Sequence, residues 1–104
     1  MAKAQYKVKY LLSFINELNE IIYYITFKLK NKVAAERLFD NVIENIEKRS
    51  ESPEGYEIYK GKTNGNIKWY RIYVGKFTIF YTVNSNVMII AHIIYSARNL
   101  DNLI

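Results

Sequence analysis

The feature that most constrains the fold is the run WYRIYVGKFTIFYTV at residues 69–83, which alternates on both sides of a Gly75-Lys76 connection. A two-residue hairpin turn there pairs Val74 with Phe77 and Ile72 with Ile79 on one apolar face, which we predict to be core. Successive strand residues point to opposite sides, so the second face collects Trp69, Arg71, Tyr73, Thr78, Phe80 and Thr82. An arginine in the middle of so apolar a strand makes the purpose of this second face the central question.

The N-terminal half predicts one strand and two helices. YKVKYL alternates with a period of two, and Ser13 after it is a candidate N-cap. Residues 13–31 and 33–49 each carry apolar positions at steps of three and four, which indicates two amphipathic helices. Because their connection is very short, the helices should form an antiparallel hairpin.

The C-terminal half predicts a sheet. Pro53 and Gly55 end helical geometry, and four alternating segments follow: YEIYKG, IKWYRIYV, FTIFYTV and VMIIAHIIY. We therefore expect one α+β domain over residues 1–104, with the helical hairpin on one face of a mainly antiparallel sheet of four or five strands and the other face partly open. A three-residue turn at 84–86 would pair Val87 with Val83 and His92 with Thr78, which places His92 on the face of Arg71.

Composition narrows the classes of function. The chain has no cysteine and one histidine, which argues against disulfides and a zinc site, and we expect no cofactor and no metal. No apolar run has the length of a signal peptide core or a membrane span, so we expect a cytoplasmic protein. The net charge is +5, and residues 58–104 carry six basic groups against Asp101 alone. A basic surface of this kind attracts nucleic acid, the ribosome or an acidic protein segment.

Several segments together carry a family resemblance: YKVKY, AAERLFDNVIENIEK, SPEGY, YRIYVGKFTIFYTV and IIYSARNLDNLI. From about Tyr6 to Ile104 the chain resembles the RelE/ParE superfamily of bacterial toxins, also called plasmid stabilisation proteins. The resemblance implies a toxin of a type II toxin-antitoxin system that is neutralised by a cognate antitoxin protein. It also implies one of two mechanisms, which are cleavage of messenger RNA on the ribosome or inhibition of DNA gyrase.

The resemblance implies site residues as well. RNA cleavage without a metal needs an acid, a base and cations for the phosphate, and the candidates here are Arg71, Arg98, Lys60, Lys62, His92 and Tyr73. Many relatives carry arginine where this chain has Tyr73 and Thr78, and Ile104 replaces a tyrosine found in some nucleases. Because basic residues cluster in the strand half, we favour a metal-independent, ribosome-dependent endoribonuclease. The alternatives are a non-enzymatic gyrase inhibitor and a degenerate toxin that retains only antitoxin binding.

Each candidate also has a structural interpretation. Tyr81 and Tyr95 are expected to pack in the core, as aromatic residues in strands do. His92 can be a satisfied structural histidine, and the two lysines can be solvated surface residues. Arg71 can form an ion pair with Glu57 or with the terminal carboxylate.

Overall fold

The fold consists of two helices on one four-stranded sheet. In a computed structural model that describes residues 6–60 and 66–96, the elements are β1 (Lys7–Tyr10), α1 (Leu12–Tyr23), α2 (Lys32–Arg49), β2 (Tyr70–Val74), β3 (Phe77–Asn84) and β4 (Val87–Tyr95). The strand order is β1-β4-β3-β2, with β1 parallel to β4 and the other neighbours antiparallel. The predicted α+β class is confirmed.

The β2–β3 hairpin has the predicted register. Val74 pairs with Phe77, Ile72 with Ile79 and Tyr70 with Tyr81. Gly75 opens the turn with a φ of 57°, in the left-handed region that a side chain with Cβ enters only at a cost. Alternation and a glycine turn are therefore enough to define this half of the sheet.

The predicted β3–β4 register is wrong. The turn contains only two residues, Ser85 and Asn86, whose φ values of 51° and 64° are those of a tight hairpin turn, and Val83 pairs with Met88. The register then shifts between Phe80 and Tyr81, where Ala91 of β4 is an extra residue without a partner on β3, so that His92 lies opposite Phe80 and not Thr78. Since Phe80 also pairs with Arg71 on its other side, His92 still lies on the face of Arg71.

The helices differ from prediction mainly at their ends. Helix α1 begins at Leu12, and Ser13 is not its N-cap, because the Ser13 hydroxyl donates to the carbonyl of Ala91 at 2.6 Å. It ends at Tyr23 and continues as one π-helical turn over Tyr24–Lys28. Helix α2 matches its prediction closely. Within the described ranges, neither helix combines the length and the apolar character that crossing a membrane requires.

Both helices pack on the face of the sheet that carries Ile72, and this is the core. Phe14 and Leu18 come from α1, and Val42 and Ile46 come from α2. They contact buried strand residues, which are Tyr70, Ile72, Val74, Ile79, Tyr81, Met88, Ile90 and Ile93. The prediction that the helical hairpin covers one face is confirmed.

The second face is more covered than predicted. Phe80 is fully buried, and the ring of Tyr59 lies edge-on against it with centroids 5.2 Å apart. Tyr59 belongs to residues 53–60, which we call the strap. The predicted strand YEIYKG is wrong over its described part, because the strap makes one bridge, Ile58 to Tyr70, in place of a ladder.

Candidate functional site: a cation–aromatic face

Arg71 lies in the middle of β2 between two aromatic rings. Its guanidinium carbon is 4.8 Å from the ring centroid of Tyr59 and 5.6 Å from that of Tyr73. The Glu57 pair that the sequence suggested is present, with Nη2 3.7 Å from Oε1. Because the Glu57 side chain is 77% exposed, such a pair contributes about 0–1 kcal/mol and a stronger anionic partner can displace it. We call Tyr59, Trp69, Arg71 and Tyr73 the cation–aromatic face.

The structure describes some of the other predicted site residues but not all of them. Tyr73 is exposed beside Arg71, and Lys60 is exposed at the end of the strap. Lys62 and Arg98 lie outside the described residues, so their roles stay predictions. The structure therefore brings one predicted tyrosine next to Arg71.

His92 is held by a residue that the sequence analysis did not single out. The Glu17 carboxylate accepts from His92 Nδ1 at 3.0 Å and from the backbone N–H of Ile93 at 3.1 Å. An ionised carboxylate only accepts, so Nδ1 carries the proton in this arrangement. The His92 side chain is 19% exposed, and its ring centroid lies 6.3 Å from that of Trp69. His92 thus borders the cation–aromatic face with one ring nitrogen already engaged.

Arg49, the last residue of helix α2, contacts the backbone of Arg71. Its Nη1 donates to the carbonyl of Arg71 at 3.0 Å and to the Tyr81 hydroxyl at 2.9 Å, and its guanidinium stacks on Tyr56 with 3.5 Å to the centroid. The Tyr81 hydroxyl in turn donates to the carbonyl of Pro53 at 2.7 Å. Burial raises the pKa of the Tyr81 phenol, although the hydrogen bond from Arg49 lowers it in part. The expectation that Tyr81 packs in the core with a satisfied hydroxyl is confirmed.

Glu17 and Arg49 share a sequence signal. Glu17 follows Phe14 by three residues, and Arg49 follows Ile46 by three, so both occupy positions on the apolar stripe of their helix. A charged residue at such a position has to find a partner as the stripe packs. The same spacing also occurs at the exposed residues Lys28 and Glu36, so the pattern alone does not single out Glu17 and Arg49.

The cation–aromatic face lies apart from the large apolar cavity of the described residues. Arg71, Tyr73 and His92 are not among the residues that line that cavity. This cavity of about 500 Å³, the apolar groove, is lined by Glu20, Ile21, Tyr24, Ile25, Leu29, Lys76, Phe77 and Tyr95. Tyr95 is 44% exposed there, so its predicted place in the core is wrong.

Known proteins share this fold. The chain is similar in fold to "Chromosomal ParDE TA system from P. aeruginosa", with a TM-score of 0.67, 12% identity, 88% of this chain covered and 96% of that one. It is also similar to the "archaeal RelE-RelB complex from Pyrococcus horikoshii OT3", with a TM-score of 0.51, 20% identity, and 92% and 100% covered. No curated protein sequence matches significantly. A family model described as "ParE toxin of type II toxin-antitoxin system, parDE" matches residues 8–100. The chain therefore belongs to the ParE toxin family, within the RelE/ParE superfamily.

Proposed function

We propose that this toxin arrests growth by binding an essential cellular protein, as a ParE-like inhibitor of DNA gyrase, and that the cation–aromatic face makes the contact. The observation that carries the proposal is the pair of aromatic rings beside Arg71. A guanidinium held between Tyr59 and Tyr73 is a planar cation with two aromatic neighbours, and arginine and tyrosine are the residues that dominate protein interfaces.

The family match supports RNA cleavage less well than gyrase inhibition. The matching family model is that of ParE toxins, and this chain carries Tyr73 and Thr78 where the resemblance leads us to expect arginine. Fewer cations are then available on this face for the developing charge on a phosphate. The contact between Glu17 and His92 Nδ1 does not decide the question, because the second ring nitrogen, Nε2, is not part of that contact. The family match and the two departures favour the non-enzymatic alternative over the endoribonuclease.

The cognate antitoxin fits the apolar groove. Both similar solved structures are named as toxin-antitoxin pairs, which supports such a partner here. The groove is lined mainly by apolar side chains, with Glu20 and Lys76 as its charged residues, and Lys28 and Lys30 flank its residue Leu29 in the sequence. An amphipathic segment that places apolar residues in the groove and carboxylates near these lysines matches both properties. The neutralising segment would then bind to residues other than the four of the cation–aromatic face.

Induced expression tests the target. Growth, protein synthesis and plasmid supercoiling are measured in the same cells for the wild type, Arg71→Ala and the control Arg37→Ala, whose side chain is exposed on α2. We expect loss of supercoiling before loss of protein synthesis in the wild type and in Arg37→Ala, and little arrest with Arg71→Ala. Translational arrest with intact supercoiling would contradict the proposal and restore the endoribonuclease.

Groove variants test the antitoxin separately. Tyr24→Glu places a carboxylate in the apolar groove, whereas Phe27→Glu makes the same change at an exposed position outside it. We expect Tyr24→Glu toxin to arrest growth even when the protein encoded beside it is co-expressed, and Phe27→Glu toxin to be neutralised. Full neutralisation of Tyr24→Glu would show that the groove is not the docking site.

A further inference from the structure

Arg49 is where the end of helix α2, the edge of the sheet and the strap meet. It is the last residue of α2, and its guanidinium is partly buried. Its two hydrogen bonds reach the carbonyl of Arg71 and the hydroxyl of Tyr81. Its planar face lies on Tyr56, which belongs to the strap. One side chain thus contacts all three parts.

Several contacts attach the strap to the rest of the fold, and two of them involve Arg49 or its hydrogen-bond partner Tyr81. Tyr81 accepts from Arg49 and donates to the carbonyl of Pro53, which fixes the start of the strap. Farther along, the N–H of Tyr59 donates to the carbonyl of Trp69 at 2.6 Å, beside the single bridge from Ile58. Arg49 contacts Tyr56 directly and Pro53 through Tyr81, whereas Glu54 accepts from the Tyr6 hydroxyl at 2.9 Å without Arg49.

The strap in turn supplies two of the groups that surround Arg71. Glu57 provides the carboxylate 3.7 Å from the guanidinium, and Tyr59 provides the closer of the two rings. Both residues follow Tyr56 within three positions. A shift of the strap away from Arg49 therefore changes the environment of Arg71 without any change in β2 itself.

We infer that Arg49 is a positioning residue, which holds the strap against the sheet and thereby fixes how Arg71 is presented on the cation–aromatic face. Its effect on toxicity rests on the proposed function, whereas its effect on the strap does not. The role requires arginine specifically. A guanidinium donates in two directions and stacks on a ring at the same time, whereas a lysine ammonium is a hydrated point charge that offers no planar surface to Tyr56.

Hydrogen exchange of backbone amides tests the inference directly. Arg49→Lys keeps the charge, and Arg37→Lys is the matched control at an exposed position of the same helix. We expect amides of the strap, including that of Tyr59, to exchange about tenfold faster or more in Arg49→Lys, because two hydrogen bonds from a charged donor are lost or weakened. Amides of α2 and β3 should exchange as in the wild type. Arg37→Lys should leave amide exchange unchanged in the strap, in α2 and in β3.

Two results would overturn the inference. One is unchanged exchange of the strap in Arg49→Lys, and the other is a uniform acceleration through α2 and β3, which would make Arg49 an ordinary stability contact. If Arg49→Lys protein does not fold, Tyr56→Leu removes the stacking partner and should accelerate the strap alone; an unchanged strap in that variant also overturns the inference. Emission of Trp69, the one tryptophan of the chain, reports the same movement independently.

Growth arrest separates this inference from the proposed function. Arg49→Lys should weaken arrest at equal levels of folded protein, and it should add nothing in an Arg71→Ala background. If strap exchange accelerates but Arg71→Ala remains fully toxic, the positioning role holds and the proposed contact surface is wrong. If Arg71→Ala abolishes toxicity but strap exchange is unchanged, the proposed surface holds and the positioning role is wrong.

Discussion

Glu17 of helix α1 takes the place of a neighbouring strand along the segment of β4 that contains His92. Strand β1 pairs with β4 only as far as Tyr10 and Ile90. Beyond that point the Glu17 carboxylate accepts from both His92 Nδ1 and the N–H of Ile93. This edge of β4 therefore has hydrogen-bond partners from strand β1 and from two side chains of helix α1, Ser13 and Glu17.

The first prediction concerns this edge. Glu17→Ala should lower the free energy of unfolding by about 1–3 kcal/mol, the cost of leaving a partly buried N–H without a partner. Glu17→Gln keeps an acceptor oxygen and should lower the free energy of unfolding by less. Glu20→Ala, at an exposed position three residues later, should leave it almost unchanged. Urea unfolding monitored by circular dichroism measures the differences. Equal stability of Glu17→Ala and Glu20→Ala would mean that Glu17 does not support β4.

The second prediction concerns the two faces of the sheet. Ile79→Ala should cost about 2–5 kcal/mol and Phe80→Ala about 3–5 kcal/mol, because both side chains are fully buried although they point to opposite faces. Tyr73→Ala, at a position 61% exposed, is the control and should change stability little. Thermal and urea unfolding provide the comparison. A stable Phe80→Ala protein would show that the second face is open after all.

The third prediction separates function from stability at Arg71. Its exposed pair with Glu57 is worth about 0–1 kcal/mol, so Arg71→Ala should remain folded. Growth arrest should nevertheless be lost, most completely when Arg98→Ala is added. Induced expression with quantified soluble protein measures both effects. An unfolded Arg71→Ala protein would assign the arginine a structural role, and an unchanged arrest by the folded double variant would remove this face from the mechanism.

The fourth prediction concerns alkaline pH. Burial raises the pKa of Tyr81, so the folded state keeps this proton at a pH where the unfolded chain has lost it. The stability from this group is complete below the unfolded pKa of about 10 and is lost as pH rises toward the folded value. Tyr81→Phe should therefore be less stable than the wild type near neutral pH but lose less stability between about pH 8 and pH 11. Equal losses in both proteins would contradict the assignment.

The sequence predicted the parts of the fold that follow from periodicity. The β2–β3 register, the two helices and the buried face came from alternation and from apolar steps of three and four residues. The β3–β4 register could not be predicted in this way. Ser85 and Asn86 both adopt positive φ without a glycine, and the extra residue Ala91 in β4 leaves no periodic signature.

The candidate site, like the fold, could be predicted only where it follows from alternation along a strand. Alternation placed Arg71 and Tyr73 on one face, but the partners of Arg71 arrive from the strap, whose position depends on contacts distant in sequence. The sequence suggested Glu57 as a partner of Arg71, but it did not indicate Tyr59 or the contacts of Arg49 and Tyr81 with Tyr56 and Pro53. These contacts join residues that share no local pattern, so the folded chain is needed to show them.

The most direct test of the proposed mechanism uses purified toxin in two parallel assays. One measures supercoiling of relaxed plasmid by purified gyrase, and the other maps breaks in messenger RNA on translating ribosomes, each with the wild type and Arg71→Ala. We predict that wild-type toxin inhibits gyrase and leaves the RNA intact, whereas Arg71→Ala leaves both the gyrase activity and the RNA unchanged. Cleavage of RNA on ribosomes by the wild type, with gyrase fully active, would contradict the account.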